Sequence, residues 1–98
     1  MLRALAQPKR VAILRLIRSR EMRAGDIARN FRATRPAISQ HLRVLVDAGL
    51  VTERREGTSR LYAIRPEGFA QLRTFLDTFW DDKLGTLKAA VERGRQRD

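Results

Sequence analysis

The sequence predicts a mainly α-helical domain with one small β-hairpin, in the order α-α-α-α-β-β-α. Apolar residues recur with a helical period as far as residue 48, and an alternating, β-branched pattern replaces that period over residues 50–65. The helical period then returns from residue 67 and predicts one long last helix. A chain of 98 residues has the length of one domain, so we expect residues 1–98 to fold as a single unit.

The chain opens with two predicted helices, Leu2–Ala6 and Pro8–Arg18. The second begins at a proline, which is tolerated there because its missing N–H would have no partner within the helix. The apolar inner face of this helix consists of Val11, Ile13, Leu14 and Ile17. A third, shorter helix is predicted over Ala24–Phe31, with Ile27, Ala28 and Phe31 turned inward.

The fourth predicted helix, Arg35–Ala48, has clear signals at both ends. Thr34 is the expected N-cap, because a threonine oxygen can accept from the first free backbone N–H groups of a helix. Gly49 follows the helix, as a left-handed C-terminal cap should. The inner face of the helix consists of Ile38, Leu42, Leu45 and Val46.

Three polar residues of this helix, Ser39, Gln40 and Arg43, lie away from its apolar face at 100° per residue. Glutamine can bond adenine bidentately, and arginine can bond guanine or a phosphate. We therefore expect these three residues to contact base edges of DNA. At the start of the same helix, Thr34 and Arg35 are expected to contact the backbone phosphates.

Residues 50–65 predict a hairpin, with strands Leu50–Glu56 and Ser59–Arg65 on either side of Gly57. Two short helices followed by such a hairpin form a winged helix-turn-helix, here with the helix-turn-helix over residues 24–48 and the wing over residues 50–65. Arginines on a protruding loop suit the phosphates or the negative minor groove of DNA. The wing arginines expected to contact the DNA backbone or minor groove are Arg54, Arg55 and Arg60.

The distribution of charge supports a polyanionic partner. The chain has 21 basic and 11 acidic residues, which gives a net charge of +10. Residues 1–66 hold 15 of the basic and 5 of the acidic residues, whereas residues 67–98 hold six of each. The whole excess therefore lies in the predicted DNA-binding part, as expected for a nucleic-acid interface.

The last predicted helix, over residues 67–92, carries four of the six aromatic residues. Its apolar stripe is broader than one small domain can cover, and a second copy of the same helix is the most economical partner. Together with the opening helix over residues 1–6, it predicts a homodimer. The residues expected in the dimer interface are Leu2, Leu5, Phe69, Leu72, Phe75, Leu76, Phe79, Trp80, Leu84 and Leu87.

Several functional classes are excluded or disfavoured by composition. The chain has no cysteine and one histidine, His41, so neither a thiolate metal site nor a nucleophile–base set for catalysis can be assembled. We therefore expect no enzyme activity, no cofactor and no metal. No apolar run is long enough to span a bilayer, and no secretory signal is evident, so a cytoplasmic location is expected.

Residues 3–66 resemble the ArsR/SmtB repressors. The resemblance rests on Ala4–Arg10, which is similar to the family's "ALADPTR" helix entry, on Arg35–Leu45 as the recognition helix, and on Glu53–Tyr62 as the wing. It implies a homodimeric transcriptional repressor whose first and last helices form the dimer interface. It also places His41 beside the groove, where packing or a phosphate contact is expected. Metal-sensing members use cysteines or clusters of histidine and aspartate, so this chain resembles the non-metal branch, and the resemblance names no effector.

Two other functions remain open from the sequence: an RNA-binding module and a winged helix that binds another protein. Single-stranded RNA is recognised by aromatic platforms among basic residues. In the basic part of this chain only Phe31 and Tyr62 are aromatic, and both occupy core-like positions. A protein-binding module would not need the positive charge of residues 1–66.

Overall fold

The computed structural model describes residues 1–79, and these form a small helical domain with a three-stranded sheet. The helices are α1 (Leu2–Leu5), α2 (Pro8–Ile17), α3 (Ala24–Ala28), α4 (Arg35–Asp47) and α5 (Pro66–Phe79). The strands are β1 (Met22–Arg23), β2 (Val51–Glu56) and β3 (Ser59–Ile64). The predicted fold class is confirmed, while Trp80, Leu84 and Leu87 lie outside the described residues.

The structure contains a strand, β1, that the sequence analysis did not predict. With this strand included, the order of elements within residues 1–79 is α-α-β-α-α-β-β-α. The sheet is antiparallel with the order β1-β3-β2, and Met22 pairs with Tyr62. Two residues are too few to show an alternating pattern, and β1 exists because β3 supplies a partner for its backbone groups. As a result the wing is joined to the segment between α2 and α3.

The predicted helix over residues 24–31 is shorter in the structure, because α3 ends at Ala28. Beyond it, the N–H groups of Asn30 and Phe31 donate to carbonyls three residues earlier, which is the tighter bonding of a terminal turn. The Asn30 side chain also donates to the Asp26 carbonyl at 2.9 Å. Phe31 still packs against the core from this turn, as predicted.

The core lies between α2, α3, α4 and the base of the wing. The most deeply buried apolar side chains are Ile13, Ile17, Ile27, Ile38, Leu42, Leu45, Leu50 and Val51. Among the residues of α2 predicted to face inward, Ile13, Leu14 and Ile17 are buried and Val11 is half-buried. Burial of these side chains fixes the face that α4 turns to solvent, since the spacing of Ile38, Leu42 and Leu45 leaves one stripe outside.

The junction of α4, β2 and α5 depends on two glycines. Gly49 has φ 78°, the left-handed conformation predicted for the cap of α4. Gly68, in the first turn of α5, is buried directly against the Gly49 carbonyl. Arg65 joins the same junction, because its backbone N–H donates to Leu50 at 2.9 Å and its side chain donates to the Gly49 carbonyl at 3.3 Å.

A membrane-spanning segment is not found among the helices of residues 1–79, since none combines the length and the hydropathy that a bilayer requires.

Candidate nucleic-acid interface

The helix α4 is fixed at its start by the predicted cap. Thr34 Oγ1 accepts a hydrogen bond from the Ala37 backbone N–H at 3.2 Å, and Pro36 lies in the first turn. The hydroxyl hydrogen of Thr34 remains able to donate outward, since it is not used in this bond. Thr34 and Arg35 are both exposed at the end of α4 where a phosphate contact is predicted.

The three residues predicted to read bases are brought together on one surface. Ser39, Gln40 and Arg43 are all exposed, and they line an open cleft of about 730 Å³ between α3, α4 and the wing. The cations that line the same cleft are Arg23, Arg29, Arg35, Arg43 and Arg60. Asp26 and Glu53 are its acidic residues. The cleft is therefore a mostly positive surface with a polar helix face at its centre.

Within the cleft, Arg43 is only weakly restrained. Its Nε lies 3.8 Å from a carboxylate oxygen of Asp47, one turn later, and both side chains are 70% exposed. An exposed pair of this kind contributes roughly 0–1 kcal/mol, so it can be exchanged for a ligand at little cost. Arg43 is thus available for a base or phosphate.

One face of the wing holds Arg54 in a network of ion pairs. Arg54 donates from Nε and Nη2 to the two carboxylate oxygens of Glu21, at 2.8 and 2.7 Å, and it lies 3.1 Å from Glu56. These hydrogen bonds raise the pKa of Arg54 above its ordinary value, and they hold the pKa of Glu21 below 4.5. Glu56 in turn lies 3.8 Å from Arg23 of β1. Arg54 therefore ties β2 to the segment before β1.

The other face of the wing, which covers the core at its base, has a different arrangement. Glu53 accepts from the Tyr62 hydroxyl at 3.0 Å and from Arg60 at 3.3 Å. Burial and the Glu53 carboxylate raise the pKa of Tyr62, so it donates as a neutral phenol. Arg55 lies directly opposite Arg60 in the register, and no carboxylate of residues 1–79 forms an ion pair with Arg55. Like charges opposite each other repel, and an anion between them would relieve that repulsion.

His41 follows directly after Gln40, one of the residues predicted to read bases, but it is half-buried. Its Nδ1 is 3.4 Å from Nη1 of Arg10, a residue of α2. Burial, followed by the charges of Arg10 and Lys9, lowers the pKa of His41 below 6.5. The neutral imidazole therefore predominates at neutral pH.

The residues predicted for the dimer interface divide into two sets within the described chain. Leu2, Phe75, Leu76 and Phe79 are about half exposed, at 47–54%. Leu5 and Phe69 pack partly against the core of the domain, and Leu72 is half-buried. An apolar groove between α1 and α5 is lined by Met1, Leu2, Leu72 and Phe75, among others. Phe75 and Phe79 contact each other edge to face, with ring centroids 5.0 Å apart.

Two functional features are absent from the sequence prediction. The cleft includes Arg23 and Arg29, which lie on β1 and just beyond α3. Their contribution depends on the sheet order, which places β1 beside the wing, and only the general excess of arginine pointed to them. The partners of Arg54 were also missed, because Glu21 is 33 positions away and no local pattern links the two.

Comparisons with known proteins bear on the family of the chain. Residues 7–53 match the model of the arsR family of bacterial regulatory proteins. The chain is 47% identical over 77 residues to the HTH-type transcriptional regulator Rv2034 of Mycobacterium tuberculosis, covering 79% of this chain and 72% of that protein. It is 37% identical over 62 residues to the transcriptional repressor SdpR of Bacillus subtilis, covering 63% of this chain and 69% of the other.

A solved structure shows the same architecture. It is the homodimeric winged helix-turn-helix DNA-binding domain Mb0332 of Mycobacterium bovis, with a TM-score of 0.65 and 34% identity. The match covers 84% of this chain and 76% of that one. The relatives are transcriptional regulators, which confirms the prediction that this protein is not an enzyme. From its fold, its cleft and these relatives, the chain belongs to the arsR family of bacterial regulatory proteins.

Proposed function

We propose that the protein is a homodimeric repressor that reads a near-palindromic operator in duplex DNA. In this proposal α4 enters the major groove, and Ser39, Gln40 and Arg43 contact base edges. The observation that carries the proposal is the exposure of these three side chains on a single face of α4, inside a cleft lined by arginines. The major groove of B-DNA admits one α-helix, and α4 is the helix that presents such a face.

The wing would contact the DNA backbone or minor groove beside α4. Arg55 and Arg60 support this role best, because they are directly opposite each other and Arg55 has no ion pair within residues 1–79. Arg54 is mostly engaged with Glu21 and Glu56, and we assign it chiefly to holding the wing in place. Thr34 and Arg35 would add phosphate contacts at the start of α4, and His41 would add one from the middle of the helix.

A dimer is favoured by the apolar side chains that α1 and α5 expose. Leu2, Phe75, Leu76 and Phe79 lie on these helices and leave about half of their surface in water. The related Mb0332 domain is homodimeric, and SdpR is a repressor. One recognition helix contacts only a few base pairs, whereas two helices about 34–36 Å apart read two half-sites on one face of the duplex.

Base recognition is tested by selecting duplexes from a randomised library and then comparing variants on the selected and on random DNA. Gln40→Ala and Arg43→Ala are expected to weaken binding to the selected duplex by about 1–3 kcal/mol, with much less effect on random DNA. Arg73→Ala removes the same charge from an exposed position of α5 outside the cleft, and serves as the control. Equal losses on both duplexes would show that neither residue reads bases.

The dimer is tested by placing a charge on the exposed apolar face of α5. Leu76→Glu would bury an unpaired carboxylate at the subunit contact, which costs several kcal/mol and should yield a monomer. Thr74→Glu, an exposed residue on the other side of the helix, should leave the dimer intact. Sedimentation equilibrium measures both, and a mass near 11.3 kDa for the unmodified protein at micromolar concentration would contradict the dimer.

A further inference from the structure

Arg10 is a residue of α2 whose guanidinium contacts two other helices at once. Its Nε donates to the Ala4 carbonyl at 2.8 Å, and its Nη2 donates to the Arg3 carbonyl at 3.1 Å. Its Nη1 lies 3.4 Å from Nδ1 of His41, on α4. Each of the three guanidinium nitrogens therefore has a partner, and the partners belong to α1 and α4.

The contacts at α1 help to hold a very short helix in place. α1 has four residues, and the last four carbonyls of any helix have no partner within it. Arg10 supplies hydrogen bonds to two of these carbonyls, those of Arg3 and Ala4. Ala4, 2% exposed, is the buried side chain of α1. The Arg10 guanidinium thus adds two hydrogen bonds to the apolar contacts that Ala4 and Leu5 make with the core.

The contact at α4 determines the hydrogen-bonding state of His41. A guanidinium can only donate, so Nδ1 must be the acceptor and the ring proton must lie on Nε2. His41 immediately follows Gln40, a residue of the groove-facing row. The charged groups that act on His41 from α2 are Arg10 and Lys9, and both disfavour the imidazolium form. The ring therefore presents a neutral donor at Nε2.

We propose that Arg10 is a positioning residue that sets α4 relative to α1 and holds His41 as an Nε2–H donor for a DNA phosphate. The inference rests on the proposed function, in which α1 lies at the dimer contact and α4 in the groove. Arg10 then links the surface that fixes the distance between the two subunits to the surface that reads DNA. The spacing of half-sites that the dimer accepts depends on this link.

The first test is made on the free protein and needs no DNA. His41 is the one histidine of the chain, so its ring signals in an NMR titration are unambiguous. Arg10→Met keeps an apolar stem but removes the three contacts, and the pKa of His41 is expected to rise toward 6.5. Arg18→Met removes the same charge from an exposed position at the end of α2 and should leave the titration nearly unchanged. Equal effects of the two variants would overturn the Arg10–His41 contact.

The second test uses the duplex selected by the unmodified protein, together with versions whose half-sites are one base pair closer or farther apart. Arg10→Met is expected to lose roughly 3- to 30-fold in preference for the selected spacing, and Arg18→Met little. If Arg10→Met keeps the full spacing preference, Arg10 does not position α4. If the unmodified protein prefers no duplex, the proposed function is wrong. The NMR titration would still show whether Arg10 contacts His41 in the free protein.

Two substitutions at His41 separate the roles of the ring nitrogens. His41→Asn places a side-chain acceptor near Nδ1 but removes the outer donor, so it should keep the spacing preference and bind the selected duplex more weakly, with the salt dependence nearly unchanged because a neutral donor displaces no counterion. His41→Gln places an amide donor near Nε2 without the acceptor for Arg10, so the opposite pattern is expected. Indistinguishable behaviour of the two variants would refute the assignment. Thermal melting of each variant confirms that it is folded.

Discussion

Replacing Gly68 by alanine tests the contact between the start of α5 and the end of α4. Glycine in a helix usually destabilises it by about 1 kcal/mol relative to alanine, so this substitution would ordinarily help. Here a Cβ on Gly68 would lie 2.9 Å from the Gly49 carbonyl carbon and 3.3 Å from the Leu50 Cα, and still closer to the Gly49 carbonyl oxygen. All three atoms belong to the backbone, which cannot rotate aside as a side chain can.

The expected loss of stability arises because the added methyl group must displace α5 from the end of α4. Forcing one extra carbon into a packed contact costs typically about 1–3 kcal/mol, and the gain in helix propensity offsets at most about 1 kcal/mol of it. Gly68 lies in the first turn, where propensity has less effect than in the interior. We therefore expect Gly68→Ala to lower the free energy of unfolding by about 1–2 kcal/mol.

Gly25→Ala provides a matched control in another helix. A Cβ on Gly25, in α3, would lie 3.6 Å from the Arg35 guanidinium, an ordinary contact with a flexible side chain. This variant is expected to be as stable as the unmodified protein or more so. Thermal unfolding at one fixed protein concentration measures both, with a shift of about 4–8 °C for each kcal/mol. Equal melting temperatures for the two variants would refute the close contact of Gly68 with Gly49.

Two further predictions concern the wing and the histidine. Arg55→Ala is expected to make the slope of log K against log salt shallower by about 0.9 without loss of stability, because under the proposed function it removes a phosphate contact. Arg54→Ala should instead lower the melting temperature slightly and change the slope less, because the ion pairs that it removes are exposed. Equal slopes for the two variants would contradict the division of roles. Burial and the charges of Arg10 and Lys9 depress the pKa of His41, so the unfolded chain binds this proton more readily than the folded one. The free energy of unfolding, measured by urea titration, should therefore be highest above pH 6.5 and should decrease as the pH falls below that value. His41→Asn should remove this dependence, and an unmodified protein with pH-independent stability from about pH 7.5 to about 5.5 would contradict the reasoning.

The helices of the domain were predictable because their signals are local. The cap at Thr34, the spacing of Ile38, Leu42 and Leu45, and the turn at Gly49 each depend on residues within one or two turns. The outward face of α4 followed from that spacing alone, since burying one side of a helix determines the other. The hairpin was predictable for the same reason, from its alternating strands and a glycine at the turn.

The features that the sequence did not predict depend on residues far apart in the chain. The strand β1 forms only because Met22 meets Tyr62, and the pair of Arg54 with Glu21 depends on that strand. From the sequence, the wing arginines are equivalent cations on one loop. The structure distinguishes them, because neighbouring residues of a strand lie on opposite faces and find different carboxylates.

The tip of the wing, between Glu56 and Ser59, is separate from the core. Gly57 has φ 62°, and among residues 1–79, apart from Gly57 and its two chain neighbours, no heavy atom lies within 4 Å of a Cβ placed on it. The core contacts of the hairpin end nearer its base, at Val51 and Tyr62. Two residues added to each strand would lengthen the hairpin by about 7 Å without entering the core. Under the proposed function, the affinity for the DNA backbone and the choice of bases can therefore change separately over evolution. The first would change through the length of the hairpin, and the second through the outer side chains of α4.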